Sequence, residues 1–216
     1  MNIAIDGPAG AGKSTVAQRV AASLQFVYVD TGAMYRALAW AVIHNSVDVL
    51  DQKAVSALLQ NAQIELKRMQ DGQHVFWNGE DITHHIRTQE VSNYASVVAS
   101  YPDVRNRMLT LQREMAHQGN VVMDGRDIGT HVLPDARVKI FLTASIEERA
   151  RRRYGDLIAK GETPDLELLQ KEIAERDQRD KERKSAPLRK AEDAVLLDTT
   201  SMSLDEVVIN ILALCR

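Results

Sequence analysis

The stretch NIAIDGPAGAGKSTVAQRVAASL, residues 2–24, decides the fold. Asn2-Ile3-Ala4-Ile5-Asp6 is a short apolar run closed by Gly7-Pro8, which suits a buried parallel strand ended by a turn. From Lys13 to Leu24 there is no Gly or Pro, and Val16, Ala17, Val20 and Leu24 recur at helical spacing, so a helix follows at once. Strand, glycine-rich turn and helix open a βαβ unit. The turn, Gly7-Pro8-Ala9-Gly10-Ala11-Gly12-Lys13-Ser14, fits the pattern Gly, four residues, Gly-Lys-Ser, in the strand-to-helix context that gives such a match its weight. Its glycines let backbone N–H groups turn inward around an oxyanion, the helix N-terminus adds partial positive charge, and Lys13 reaches the outer phosphates. Either Ser14 or Thr15 offers a hydroxyl to Mg²⁺. The competing reading is a glycine turn that merely packs the helix on the sheet; the full pattern favours a nucleoside triphosphate site.

Working outward, short apolar runs at 26–29, 121–124, 138–143 and 194–198 predict four more buried strands, separated by enough chain for helical crossovers. Near the end, Ser203-Leu204-Asp205-Glu206 is a capping box ahead of the apolar face Leu204, Val207, Val208, Ile211 and Leu212. The expected class is α/β, a five-stranded parallel sheet flanked by helices. Two segments interrupt it. In residues 63–83 the order Ile64, Leu66, Val75, Trp77, with turns at Asp71-Gly72 and Asn78-Gly79, predicts a small antiparallel sheet. Residues 147–184 carry eleven acidic and eleven basic side chains, and predict a charged helical hairpin. It opens on the capping box Ser145-Ile146-Glu147-Glu148, breaks near Gly161-Glu162-Thr163-Pro164 and resumes from Asp165.

Composition narrows the function. At 216 residues, 44% hydrophobic, with a net charge of −3, the chain suits one compact domain and lacks the basic excess of a nucleic-acid binder. No apolar run is long enough to span a membrane, the first residues carry no basic leader, and the single Cys215 cannot form an internal disulfide. A cytosolic, soluble protein is expected, with a monomer as the default. His74, His84 and His85 read as surface residues rather than metal ligands, and Trp40 and Trp77 as packing.

Among triphosphate-binding classes, a GTPase switch is disfavoured. No glycine has an aspartate three residues before it, and there is no Asn-Lys pair. Transporter and helicase ATPases are disfavoured because Val121-Val122-Met123-Asp124 runs on into Gly125-Arg126-Asp127, with no glutamate to polarise a water. In the charged hairpin the stripe Leu166, Leu169, Ile173 continues as Arg176, Asp180, Arg183, with Arg179 in the same arc. Arginines on one helical face suit a phosphoryl group in flight, whose loose transition state is stabilised by position and positive charge. An ordinary helix with Arg–Asp pairs along its exposed turns is the alternative.

Taken in order, Gly7 to Thr15, Asp30-Thr31-Gly32-Ala33-Met34-Tyr35-Arg36, Ile86-Arg87-Thr88-Gln89-Glu90-Val91, Asp124-Gly125-Arg126-Asp127-Ile128-Gly129 and Glu175-Arg176-Asp177-Gln178-Arg179-Asp180 resemble the bacterial cytidylate kinases over nearly the whole chain. That family, of the nucleoside monophosphate kinases, converts CMP and dCMP to the diphosphates with ATP and Mg²⁺. The resemblance implies a P-loop core at 1–30, 106–144 and 186–216, a monophosphate-binding lobe at 31–105 that contains the antiparallel insertion, and a helical lid at 145–185. It further implies that residues 7–15 bind ATP. Thr31 and Arg36 hold the acceptor, Ser96, Arg126 and Asp127 meet the cytosine, Arg105 the acceptor phosphate and Asp180 the sugar hydroxyls. Lys13, Arg176 and Arg183 serve catalysis. An aspartate after a strand suits cytosine independently, because the N4 amino group is a donor that a carboxylate accepts. The bland readings are a cap or a partner of Arg126 for Asp127, and a solvent-facing helical arginine for Arg105. Rival functions are a kinase for another acceptor, UMP or a small metabolite, and a non-catalytic nucleotide-binding module.

Overall fold

A computed structural model describes residues 1–215, which form eight strands and eight α-helices. The strands Asn2–Asp6 (β1), Val27–Asp30 (β2), Val121–Gly125 (β6), Val138–Thr143 (β7) and Val195–Asp198 (β8) make a five-stranded parallel sheet ordered β2-β6-β1-β7-β8. β1 is central: Ile3 lies opposite Val122 on one side and Val138 on the other, and Ile3, Ala4 and Ile5 are fully buried. That is why β1 is apolar on both faces, as a strand covered by helices must be.

The chain divides into two compact units. The first comprises Met1–Tyr28 and the chain from Gly119 on. In it the helix Lys13–Leu24 (α1) buries Val16, Ala17, Val20 and Ala21, and the helix Leu204–Leu214 (α8) buries Val207, Val208 and Ile211 in the same core. Gln25 ends α1 in the left-handed region at φ 57°, and the Phe26 N–H closes back on Ala21 O. β2 therefore begins at Val27, one residue later than its apolar pattern predicts. The Ser203–Glu206 capping box forms as expected.

The charged stretch is the hairpin of Ile146–Ala159 (α6) and Leu166–Glu182 (α7), capped by Ser145 and Asp165. Its apolar seam is short: Ala150, Leu157, Leu169 and Ile173. Along α7 the buried positions are Leu169, Ile173, Asp177 and Asp180, so the face turns ionic as the stripe predicts, but through Asp177. Leu166 and Arg179 are exposed.

The second unit is Val29–Gln118. The helices Thr31–His44 (α2), Gln52–Gln60 (α3), Gln89–Val98 (α4) and Pro102–His117 (α5) close around Met34, Leu38, Val98, Val104 and Met108. Asp30, Asp51 and Thr88 accept backbone N–H bonds at the starts of α2, α3 and α4, and Pro102 opens α5 where no N–H is needed. The strands Ile64–Met69 (β3), Gly72–Trp77 (β4) and Glu80–Asp81 (β5) form the antiparallel insertion. Asn78 and Gly79, at φ 50° and 86°, are the two-residue turn between β4 and β5. The first turn is Gln70-Asp71 rather than Asp71-Gly72, because Met69 pairs with Gly72. Trp77 is buried in this core and Trp40 stacks on His44 at 4.7 Å, both packing roles.

His84 and His85 are exposed, but His74 is not a plain surface residue. Its Nδ1 lies 2.6 Å from Asp81 Oδ2 and its Nε2 2.9 Å from Asp71 Oδ1, clasping the first hairpin turn to β5. No set of three metal-capable side chains occurs among the described residues. The bond to Asp81, helped by Asp71, raises the His74 pKa above its ordinary value. Because the folded value is the higher one, the clasp is at full strength below about pH 6.5 and weakens as pH rises through the raised value. Proton NMR of the His74 ring should show titration above the ordinary histidine range, and Asp81→Asn should bring it down; an unmoved midpoint would exclude the clasp.

Candidate active site

The phosphate loop owes its path to its glycines at two points. At Gly7, φ +150°, an added Cβ would sit 1.9 Å from the Leu142 carbonyl oxygen, so no larger residue can pass that strand. Gly12, φ +84°, is the N-cap of α1, a left-handed position that glycine adopts without strain. Lys13, the first residue of the helix, is buried, and its Nζ donates to Pro8 O at 2.7 Å within the loop. Burial, with Arg126 and then Arg176, pushes the Lys13 ammonium pKa down, while Asp124 and Asp180 pull it back.

The two hydroxyls after the lysine part company. Thr15 is exposed, whereas Ser14 Oγ donates to Asp124 Oδ2 at 3.0 Å, and Tyr28 OH donates to Asp124 Oδ1 at 2.9 Å. Asp124 closes the carboxyl half of β6 beside the loop, so a serine hydroxyl and a strand-end carboxylate form one oxygen-only pair. Hard divalent cations prefer such a donor set.

Next to it stands a network of guanidinium and carboxylate groups. Arg126 Nε donates to Asp180 Oδ2 at 2.9 Å and its Nη1 to Gly125 O at 3.2 Å. Arg183, the C-cap of α7, lies with one nitrogen 4.0 Å from Asp180 Oδ1 and another 4.0 Å from Asp127 Oδ1, and donates to Ala186 O at 2.7 Å. Burial alone would raise the Asp180 carboxyl, but Arg126, Arg183 and Arg176 together hold it below its ordinary pKa. Arg126, Arg176 and Asp180 thus act on Lys13, and Arg183 joins them through Asp180 and reaches Asp127. Asp127 makes no side-chain cap, and Arg126 is ion-paired with Asp180. Arg179 lies outside the network.

In the second unit, Thr31 is buried at the first position of α2. Arg36, a little over one turn on, donates from Nη2 to Asp30 Oδ2 at 2.9 Å. Gly32 lets them meet, since a Cβ there would lie 3.0 Å from the Arg36 guanidinium. Arg105 is buried rather than solvent-facing; its Nη1 donates to Ala99 O at 3.3 Å and its guanidinium lies 5.9 Å from the Tyr35 ring centre. Ser96 is half-buried on α4.

The family model for cytidylate kinase matches residues 3–216. The chain belongs to the cytidylate kinase family. It is 58% identical to the cytidylate kinase of Geobacillus sp. (strain WCH70) over 208 residues, which cover 96% of this chain and 93% of that one. With the cytidylate kinase of Bacillus subtilis (strain 168) it shares 54% over 212 residues, covering 98% and 95%. In fold alone it is similar to a gluconokinase from Sinorhizobium meliloti 1021, with a TM-score of 0.52 at 15% identity and coverages of 100% and 91%. A crystallised protein from Eubacterium ventriosum matches with a TM-score of 0.55 at 12% identity, covering 99% of this chain and 96% of that one.

In this cytidylate kinase family member four charged residues near the loop escape sequence reading. Asp124 had a usable signal, an aspartate closing an apolar strand beside a phosphate loop. Arg149 and Asp177 had none: they meet at 2.7 Å across 28 positions of sequence. Asp6 ends β1, and its two oxygens accept from the Ile128 and Gly129 N–H groups, both at 2.7 Å. That bond pair fixes the backbone after Asp127. Burial drives the Asp6 pKa up to about 6 against the opposing pull of those N–H groups. A folded value above the unfolded one means stability held at low pH is lost as pH rises through about 6. Asp6→Asn lacks this titration, so between pH 4 and 7.5 the stability of the parent should fall relative to the variant by up to about 3 kcal/mol. Denaturant curves for both proteins at each pH measure this, and a constant difference would exclude it.

Proposed function

We propose that this chain transfers the γ-phosphoryl group of ATP to a phosphate oxygen of CMP or dCMP, giving ADP and CDP or dCDP. One observation carries the reading: in a member of the cytidylate kinase family, Lys13, Arg126, Arg176 and Arg183 are gathered beside the phosphate loop with carboxylates between them. Such a set holds anions on both sides of a transferring phosphoryl group.

In this proposal the N–H groups of residues 7–15 cradle the outer phosphates of ATP, and Lys13 turns from Pro8 O towards them. Ser14 and Asp124 would hold Mg²⁺, with Ser14 preferred to Thr15 because only Ser14 is paired with the strand-end carboxylate. The ion would supply positive charge against the phosphates. Thr31 and Arg36 hold the acceptor nucleotide, and Arg105 binds the acceptor phosphate. Asp127 accepts from the cytosine N4 amino group with Arg126 and Ser96 beside it, and Asp180 accepts from the sugar hydroxyls. Arg176 and Arg183 stabilise the equatorial charge as the β–γ bridging bond breaks and the new P–O bond forms in line. No general base is needed, since the acceptor oxygen is already anionic near neutral pH. The hairpin 145–185 acts as the lid that excludes water.

Triphosphate binding also resolves an electrostatic strain. Burial and two arginines disfavour a charged Lys13, and an arriving polyanion reverses that balance. Lys13→Ala should lower kcat by about 10²-fold or more while CMP binding persists. A coupled ADP-release assay and calorimetry with CMP measure both, and loss of CMP binding with normal turnover would overturn the assignment. Asp127→Asn should erode the preference for CMP over UMP by roughly 10-fold or more in kcat/KM, since it replaces an acceptor with a mixed donor–acceptor group. An unchanged ratio would move cytosine recognition elsewhere.

A further inference from the structure

Arg149 is a buried side chain with three charged or polar partners that the proposed reaction leaves unused. It lies in the first turn of α6, 4% exposed, and its guanidinium reaches three elements. Nε donates to Ala144 O at 2.9 Å just past β7, Nη1 donates to Ala9 O at 2.9 Å in the phosphate loop, and Nη2 lies 2.7 Å from Asp177 Oδ2 on α7. The stem of Arg149 fills the space beside Gly10, where an added Cβ would lie 3.3 Å from Arg149 Cβ. Asp177 is itself buried, and its Oδ1 has no hydrogen-bond partner.

We propose that Arg149 and Asp177 are a positioning pair that couples the shape of the phosphate loop to the orientation of the helix carrying Arg176 and Asp180. The proposal rests on the kinase reading above. It deepens that reading by assigning how the lid helix senses a nucleotide in the loop.

Two geometric facts support it. A trans peptide points its C=O and N–H in opposite directions, so the bond from Arg149 to Ala9 O turns the Gly10 N–H to the other side, where an anion in the loop can use it. On α7, residues follow one another at about 100° around the axis. Holding Asp177 therefore fixes the azimuth of Arg176, one residue before, and of Asp180, three residues after. A rotation of the helix by a few tens of degrees would move those groups by ångströms. Simple adhesion does not explain the pair: α6 and α7 already meet through Ala150, Leu157, Leu169 and Ile173. Replacing a buried ion pair by apolar side chains is commonly neutral or stabilising. Asp177 has a second effect in the same direction, since its charge favours the ionised form of Arg126.

The test uses the full-length enzyme with Asp177→Asn, Arg149→Lys and the double variant. Lysine keeps the charge beside Asp177 but cannot make three fixed, planar bonds. Each single variant should lower kcat by roughly 10- to 100-fold, the cost of a misplacement of about 1 Å, with KM for CMP changed by less than about 3-fold. The double variant should be no worse than the poorer single one, because both break the same coupling. Thermal melts run alongside; a lowered Tm with unchanged kcat makes the pair structural and overturns the proposal, as do multiplicative losses in the double variant.

Hydrogen exchange supplies an arm that needs no acceptor. MgATP should slow exchange both in the phosphate loop and in α7 around Arg176. In Asp177→Asn, or in Arg149→Lys if the first variant does not fold, the loop should stay protected and the α7 effect should vanish. Equal α7 protection in parent and variant, or none in the parent, overturns the coupling. Failure of the parent to phosphorylate CMP would instead count against the kinase reading, and the exchange arm would still decide the coupling.

Discussion

Mutual repulsion among clustered, largely desolvated cations is the constraint on which the organisation of this site depends. Two like charges about 4 Å apart cost about 4 kcal/mol even at an effective dielectric of 20. Arg126 and Arg176 both act on Lys13, and Arg126, Arg176 and Arg183 all act on Asp180. They can be gathered only if carboxylates stand between them, and those carboxylates come from places the fold holds rigid. Asp6 and Asp124 close neighbouring parallel strands, Asp127 follows the second of these, and Asp177 and Asp180 share the buried face of α7. Strand ends and one helical face thus supply the negative charge that lets positive charge accumulate.

The whole-chain charge of −3 says nothing of this arrangement. It bears on long-range attraction to polyanions, which depends on the sum. A small phosphate is bound by a few donors at close range, where placement alone counts. Residues 147–184 sum to zero because acids and bases are equal in number, and some of them pair within the segment, as Arg151 and Arg152 do with Glu148, or Arg149 with Asp177. The pairs with Glu148 are one turn apart on a single helix, and Arg151 is exposed, where such a bridge stabilises by only a few tenths of a kcal/mol. The buried pair joins two helices and a loop. Identical residue types in one charged segment therefore do unlike work according to depth.

What could be read from sequence follows the range of the interaction involved. Strand positions, the phosphate loop, the Ser203–Glu206 capping box, the Ser145 cap and the Asn78-Gly79 turn are written in neighbouring residues, and β1, β7 and α1 begin and end where their patterns place them. β2 is displaced by one residue because the left-handed Gln25 cap is a tertiary choice that an ordinary glutamine does not announce. Arg176 and Arg183, the arginines assigned to catalysis in the proposed reaction, are legible because helical spacing aligns them with an apolar stripe. Asp177 falls on the same buried face, yet its role depends on Arg149, a residue whose own neighbours are charged and give it no distinction. Nor does sequence reveal that Arg36 is held by Asp30 across a glycine, or that Arg105 is buried.

The ionic end of α7 shows why stability is a poor guide to such a helix. Its first turns are held by leucine and isoleucine, and further apolar residues at 177 and 180 would continue that seam while removing the desolvation cost of two carboxylates. The chain instead buries aspartates there and meets each with arginine: Asp177 with Arg149, Asp180 with Arg126 and Arg183. The gain is positional. Apolar contacts tolerate sliding and rotation, because dispersion has little directionality, whereas a guanidinium bonded to a carboxylate and to backbone carbonyls tolerates little of either. Arg126, joined to both Asp180 and Gly125 O, is fixed in the same way as Arg149. If α7 presents cations to a phosphoryl group, as the proposed reaction requires, it has reason to end its packed face in charge.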